Sequence, residues 1–205
     1  MVSGIDISHY NGSVNFQQLA AGGLAFAYVK ASEGKFTKDP FYAVNYAGLQ
    51  QNQILRGAYH FFYPQLDAQA QAANFLSVVT QLNAGDLPPV LDVEVTGEQN
   101  SSAIAAAMQQ WLDAVQQKLS RTPMIYTATG FWNTALNGVT AFSGYPLWVA
   151  EYTNNPAPRL PAGFTNYVFW QYSQSGSVPG ISGNVDMDQF NGSVSDLNQL
   201  AGMGN

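Results

Sequence analysis

Eight short apolar runs are the feature of this sequence that most restricts how it folds. Most of them are almost continuously hydrophobic rather than alternating, which is typical of parallel strands covered on both faces. Each run is short and is bounded by turn residues, which favours a strand over a buried helix. The predicted strands are Gly4–Ser8, Ala25–Ala31, Arg56–Phe62, Pro89–Glu94, Met124–Thr127, Leu147–Glu151, Tyr167–Tyr172 and Asn184–Phe190.

Helical patterns separate the earlier runs. The clearest is Ser102–Leu119, where apolar residues recur along one stripe and where Ser101 or Ser102 is expected to cap the first turn. The predicted helices are Phe16–Ala20, Pro40–Gln51, a third that carries Phe75, Leu76, Val79 and Leu82 on one face and ends near Gly85, Ser102–Leu119 and Phe131–Leu136.

After the fifth strand the connections contain Pro, Gly and Asn and show no long helical stripe. The order is therefore five β–α units followed by three strands. This order predicts an α/β protein, an irregular TIM-like barrel with eight mostly parallel strands. An open doubly wound sheet is the alternative, ranked lower because the last strands lack crossover helices. No linker is visible, so residues 1–205 are expected to form a single catalytic domain.

Charge and cysteine content exclude several classes of function. The net charge of −6 disfavours nucleic acid, which needs a basic surface, and also an anionic membrane. With no cysteine, disulfides and thiolate chemistry are excluded. No apolar run approaches the roughly 20 residues of a membrane span. Met1-Val2-Ser3 leads directly into the first strand, so no secretory leader is visible and the export route stays open.

Acidic residues inside apolar strands need an explanation in a chain with only 10% charged residues. Asp6, Asp92, Glu94 and Asp186 lie within predicted strands, and Asp188 follows closely. An unpaired buried carboxylate costs several kcal/mol, and seven Lys and Arg residues are too few to pair them all. We therefore predict an acidic cluster in a wet cleft at the carboxyl ends of the strands, where barrel enzymes have their active sites.

Asp92-Val93-Glu94 is the most informative unit. Side chains two residues apart on a strand point to the same face, with their Cα atoms about 6–7 Å apart. Glycosidic cleavage needs such a pair, in which one carboxyl donates a proton and the other stabilises the developing positive charge. Repulsion between the two separates their pKa values and keeps one protonated. A structural pair bonded to backbone N–H groups is the alternative.

The segment Asp6–Val14 resembles Asp186–Val194. The first and last strands are neighbours in a closed barrel, so the match predicts Asp6 and Asp186 at similar heights on adjacent strands. Chance similarity between two Gly/Asn-rich turns is the alternative.

Other polar and aromatic residues end the remaining strands, and together they suggest a sugar-binding groove. Lys30 and Glu33 are either part of this groove or a local ion pair. His60, Phe61 and Trp170 are expected to be structural. The other candidates at strand ends are Tyr59, Tyr126, Trp148, Tyr152 and Gln171.

These residues and motifs resemble the family 25 glycoside hydrolases, the lysozymes of bacteria, phages and some fungi. The resemblance extends in the family's order over almost the whole chain. It is carried by Gly4–Ser8, Tyr10–Gly12, Val29–Gly34, Gly57–Phe61, Leu91–Glu94, Ile125–Thr127, Leu147–Ala150, Trp170–Tyr172 and Val185–Gly192.

The resemblance implies hydrolysis of the β-1,4 bond between N-acetylmuramic acid and N-acetylglucosamine in peptidoglycan, outside the cell or at its wall. It implies that Glu94 is the proton donor and Asp92 its partner, with Asp6 and Asp186 completing the cluster. It places Tyr59, Tyr126, Trp148 and Gln171 in the sugar subsites. No cofactor or metal is expected, and a monomer is the default.

Three other functions remain open at this point. A chitinase-like hydrolase of acetamido sugars also has an acidic motif ending in Glu on its fourth strand, but that motif is longer, with further aspartates upstream, where this chain has Leu87-Pro88-Pro89-Val90. A non-catalytic carbohydrate-binding barrel typically lacks the acid, which is present here. A metal-dependent enzyme would use the four acids as oxygen ligands for Mg²⁺ or Ca²⁺.

Overall fold

A computed structural model describes residues 2–204; Met1 and Asn205 lie outside the described residues. The strands are β1 Val2–Ile7, β2 Phe26–Glu33, β3 Thr37–Lys38, β4 Leu55–Phe61, β5 Val90–Asp92, β6 Met124–Ala128, β7 Leu147–Ala150, β8 Phe169–Gly176 and β9 Val185–Phe190. The helices are α1 Phe16–Ala21, α2 Tyr42–Gln51, α3 Ala68–Leu76, α4 Ser101–Leu119, α5 Thr129–Ala135 and α6 Val194–Leu200.

The sheet closes into a barrel, as predicted. Its order is β1-β9-β8-β7-β6-β5-β4-β2, and pairing of β1 with β2 completes the circle. The two-residue β3 lies outside this circle, where it forms a hairpin with the end of β2. The pairings from β1 through β2, β4, β5, β6 and β7 to β8 are all parallel. Eight strands therefore form a mixed α/β barrel that is mostly parallel.

The last strand runs antiparallel to both of its neighbours, β8 and β1. Residues 177–184 join it to β8, which is shorter than the roughly twelve residues a parallel crossover needs. Asp186 consequently lies at the beginning of its strand, not at the end as expected. Because β9 is reversed, that beginning reaches the same mouth of the barrel, and Asp6 pairs directly with Asp186. The heights predicted from the repeated segment are thus confirmed.

Aromatic side chains fill the barrel interior. Phe26, Tyr28, Trp148, Phe169 and Phe190 belong to one buried cluster. Space for them depends on glycine: a Cβ at Gly57 would lie 2.1 Å from the Tyr28 ring. A second apolar layer lies between the strands and the outer helices. A floor of aromatic rings therefore supports the carboxyl-end mouth from below.

Two helix predictions were wrong. The third helix covers Ala68–Leu76 and ends before Val79 and Leu82, and Gly85 lies in a later turn. Asp67 caps this helix by accepting a hydrogen bond from the Ala70 N–H. The C-terminal helix α6 was missed, although Ser193 and Asp196 form a capping box at its start. The fourth helix agrees with the prediction, but its cap is Asn100.

Candidate active site

A cavity of about 460 Å³ opens at the carboxyl-end mouth of the barrel. All four predicted acids line it: Asp6, Asp92, Glu94 and Asp186. Five of the six other predicted residues line it as well: Lys30, Tyr59, Tyr126, Trp148 and Gln171. The remaining lining residues are Ser8, Tyr10, Asn11, Phe61, Tyr152, Gln174, Asn184 and Val185.

The pairing of β5 with β6 positions Asp92 and Glu94. The strand β5 ends at Asp92, so Glu94 lies two residues beyond it, whereas the prediction placed it inside the strand. The chain nevertheless remains extended, because the Val93 N–H donates to the Tyr126 carbonyl at 2.9 Å. The Thr127 hydroxyl donates to the Val93 carbonyl, also at 2.9 Å. Both carboxyl groups therefore face the cavity.

The two carboxyl groups differ in exposure. Asp92 is buried, with 6% of its surface exposed, and its Oδ1 has no hydrogen-bond partner among residues 2–204. Glu94 is exposed at the mouth. An unpaired buried carboxyl oxygen costs free energy unless a ligand satisfies it. Asp92 is thus suited to bind a donor on a ligand, and Glu94 to reach an atom near the opening.

The cluster raises the pKa values of its own members. Removal from water, followed by the charges of Glu94 and Asp6, raises the pKa of Asp92, and Lys30 opposes the shift. Partial removal from water and then the charge of Asp186 raise the pKa of Glu94, whereas the nearby Tyr126 and Lys30 lower it. Burial and Asp186 raise the pKa of Asp6. The cluster therefore retains protons at pH values where isolated carboxyl groups are ionised.

Gln171 connects three walls of the cavity. Its Oε1 accepts hydrogen bonds from the hydroxyls of Tyr126 at 2.8 Å and Tyr152 at 2.7 Å. Its Nε2 donates to Oδ2 of Asp6 at 2.7 Å. These bonds fix the amide orientation, because a reversed amide would place its oxygen against the carboxyl group. Gln171 thus holds Asp6 and both tyrosines in place.

Glu33 is the predicted groove residue that does not line the cavity, and its carboxylate binds the Lys30 ammonium instead. A second difference concerns β4, in which alternation along the strand places Phe61 on the same face as Tyr59. Phe61 was expected to be structural but lines the cavity, with the Lys30 ammonium 5.1 Å from its ring centre. Lys30 therefore neutralises Glu33 and covers an aromatic wall.

His60 lies outside the site, between the barrel and its helices. Its ring contacts the Ser32 hydroxyl at 2.8 Å and stacks on Trp111. Burial lowers the pKa of His60 to about 3, so the ring is neutral. Trp170 also packs in this outer layer, where its Nε1–H donates to the Glu151 carbonyl. Both residues are structural, as expected.

The sequence patterns did not single out several residues of the rim. Tyr10 is 81% exposed and lies in the 3₁₀ turn His9–Asn11, which follows β1. Asn184 precedes β9 and accepts a hydrogen bond from Asn11 through its carbonyl. Tyr10 lies in the repeated segment Asp6–Val14, which was a signal for it, whereas Asn184 lies before the second segment, Asp186–Val194, and had no such signal.

A second opening, of about 440 Å³, adjoins the first. Glu94, Tyr126 and Tyr152 line both. Arg159 and Glu151 form an ion pair on the far side of the second opening. Glu94 therefore lies between two connected spaces, not at the end of one.

Two kinds of feature are absent from residues 2–204. None of the helices there is long and apolar enough to cross a membrane. Within the same residues, no group of three His, Cys, Asp or Glu side chains is arranged to hold a metal ion.

Comparison with known proteins identifies a matching family, similar sequences and similar structures. Residues 5–181 match the profile of glycosyl hydrolases family 25. Lysozyme M1 of Streptomyces globisporus is 39% identical over 98% of this chain and 71% of its own length. The N,O-diacetylmuramidase of Arthroderma benhamiae is 31% identical over 98% of this chain and 86% of its own. The bacterial lysozyme structure from Streptomyces coelicolor superposes with a TM-score of 0.94 at 35% identity, covering 99% of this chain and 98% of that one.

Proposed function

Because the chain belongs to glycosyl hydrolases family 25, we propose that it is a lysozyme that hydrolyses the β-1,4 bond between N-acetylmuramic acid and N-acetylglucosamine in peptidoglycan. The observation that supports this most strongly is the gathering of Asp6, Asp92, Glu94 and Asp186 around one cavity. Relatives named lysozyme and N,O-diacetylmuramidase support the choice of substrate.

Exposure and pKa assign the roles of the two central acids. A general acid must reach the glycosidic oxygen and hold a proton near neutral pH. Glu94 fits this role, because it is exposed between two openings and its pKa is raised. Asp92 lies deeper with a free Oδ1, where it stabilises positive charge or binds an N–H of the substrate.

The two connected openings suit a polymer cut in its interior. The glycosidic oxygen lies at Glu94, so sugar residues on either side of it occupy one opening each. The larger opening contains Asp6, Asp92 and Asp186 and takes the sugar whose C1 reacts. The smaller opening, with Arg159 at its edge, takes the leaving sugar.

The product of digestion tests the function. Purified peptidoglycan treated with the protein should release muropeptides with N-acetylmuramic acid at the reducing end, identified by mass spectrometry. Chitin oligomers should be cut far more slowly, and EDTA should not change the rate. Release of N-acetylglucosamine ends, preferential cleavage of chitin, or no cleavage at all would contradict the proposal.

We propose further that the acetamide of the substrate is the nucleophile. Asp92 and Glu94 lie on one segment, so both approach the same side of the reacting sugar. Glu94 protonates the leaving oxygen while the C2 acetamide oxygen attacks C1, and Asp92 orients the acetamide N–H and stabilises its positive charge. Glu94 then takes a proton from water, which attacks C1 and restores the acetamide.

This route predicts retention at C1, because the configuration inverts twice. Proton NMR during early hydrolysis of a soluble muramyl oligosaccharide should show the β-anomer first, followed by slow mutarotation. A first-formed α-anomer would show that water attacks directly, and the acetamide would then have no covalent role.

The remaining assignments follow from the substrate. We propose that the protein acts outside the cell or at the wall, because peptidoglycan lies there and a relative is named an autolytic lysozyme. The substrate partner is the glycan strand, and we expect a monomer. All strands belong to one closed sheet, which supports treating residues 1–205 as a single catalytic domain.

A further inference from the structure

Asp188 is a buried titratable group that the proposed reaction does not use. It lies two residues after Asp186 on β9, so both side chains point into the barrel. Its exposed surface is 0%, and it lies below the cavity among the aromatic side chains of the interior. A charged carboxylate at such a position requires a cation or several donors.

The contacts of Asp188 provide neither a cation nor several hydrogen-bond donors. Its Oδ1 accepts one hydrogen bond, from Nε1 of Trp148 at 2.8 Å. Among residues 2–204 no N–H or hydroxyl donor reaches its Oδ2. On the paired strands β1 and β9, however, Asp188 lies opposite Gly4, diagonally next to Asp6 on the inner face, so the carboxyl groups of Asp188 and Asp6 are neighbours. Two carboxyl groups form a hydrogen bond only if one of them carries a proton between the oxygens.

The surroundings place that proton on Asp188. Asp6 already accepts the Gln171 Nε2–H and borders the cavity, both of which favour its carboxylate. Asp188 has only the Trp148 N–H, and burial followed by the charge of Asp6 raises its pKa. The titratable groups that interact with it from neighbouring strands and from the mouth are Asp6, Tyr28, Tyr152, Tyr172 and Asp186.

We propose that Asp188 is a neutral carboxylic acid whose O–H donates to Asp6, making it the positioning residue that holds Asp6 beside Asp186. Trp148 orients Asp188 from below, and Asp188 and Gln171 then hold Asp6 from two sides. Trp148 thereby acts on the site through its N–H, which is committed to Asp188 and not available to a sugar. The proposed effect on catalysis rests on the lysozyme function, but the protonation of Asp188 does not.

Two substitutions of Asp188 distinguish a neutral carboxylic acid at this position from a carboxylate. Asp188→Asn keeps the shape, supplies an N–H to Asp6 and an oxygen to Trp148, and should retain at least about a third of the wild-type kcat. Asp188→Leu removes both contacts and should lower kcat about 10- to 100-fold with little change in KM, the equivalent of one lost charge-assisted hydrogen bond. An equal loss in both variants, or full kcat in Asp188→Leu, would overturn the proposal.

An infrared measurement tests the proton directly and does not require activity or the leucine variant. With isotope-labelled aspartate, wild-type protein at pH 7 should show a carboxylic acid C=O band that the Asp188→Asn spectrum lacks. An unchanged acid band together with the loss of a carboxylate band would show that Asp188 is ionised. If the band behaves as expected and no substrate is cut, only the proposed function fails.

Discussion

Glu94→Gln should lower kcat on peptidoglycan by about 10²–10⁴-fold, the usual contribution of a general acid. Glutamine keeps the shape of the side chain but has no acidic proton for the leaving oxygen. The pKa of Glu94 is raised by the surrounding protein and by Asp186. The wild-type rate should accordingly persist toward neutral pH and fall as the pH rises through that pKa. Release of reducing ends from purified cell walls measures the effect.

A binding measurement distinguishes loss of the proton donor from loss of the substrate-binding site. We expect Glu94→Gln to sediment with insoluble peptidoglycan as well as the wild type does, because glutamine keeps the size of the side chain and the other residues of both openings are unchanged. Glu98→Gln is the matched control, since Glu98 is an exposed glutamate four residues away that does not line the cavity. Full kcat in Glu94→Gln would remove this residue from the mechanism.

Asp92→Asn should lower kcat by about 10²–10³-fold, the loss typical when one group that stabilises transition-state charge is removed. The amide keeps the size but has no negative charge to stabilise the acetamide or C1. Steady-state hydrolysis of soluble glycan fragments gives kcat and KM separately, and the loss should appear in kcat. A change confined to KM would indicate that Asp92 only binds substrate.

The thermal stability of Asp92→Asn should not decrease, in contrast to its kcat. The raised pKa of Asp92 means that the folded state binds this proton more strongly than the unfolded chain does. The free energy of unfolding therefore decreases as the pH rises through the pKa that Asp92 has in the folded state. At neutral pH the neutral amide should therefore leave Tm unchanged or higher. Asp113→Asn, at an exposed position on α4, controls for removal of one carboxylate.

The barrel and its acidic cluster were predictable because their signals are local. Parallel strands buried on both faces leave continuous apolar runs, and a scarce acid such as Asp92 or Asp186 is conspicuous inside such a run. The reversal of β9 also had a local signal, since the segment before it is too short for a crossover. That signal was missed because the mouth was assumed to contain only carboxyl ends of strands.

Other features depend on contacts between distant segments. Gln171 on β8 binds Asp6 on β1, and no pattern in either strand predicts this pairing. The bulge between Lys30 and Ser32 appears only when β2 and β4 are paired. The end of α3 at Leu76 was missed because Val79 and Leu82 continue a helical spacing that the chain does not follow.

A substrate whose leaving group departs without a proton tests the role of Glu94 most directly. Nitrophenol leaves as a stable anion, so nitrophenyl glycosides of the muramyl oligosaccharide do not need an acid. The kcat/KM of Glu94→Gln for release of nitrophenolate should approach the wild-type value, because this parameter does not include the later step in which Glu94 takes a proton from water. Asp92→Asn should remain slow on both substrates. If the kcat/KM of Glu94→Gln fell as far on the nitrophenyl glycoside as on peptidoglycan, Glu94 would not be the proton donor.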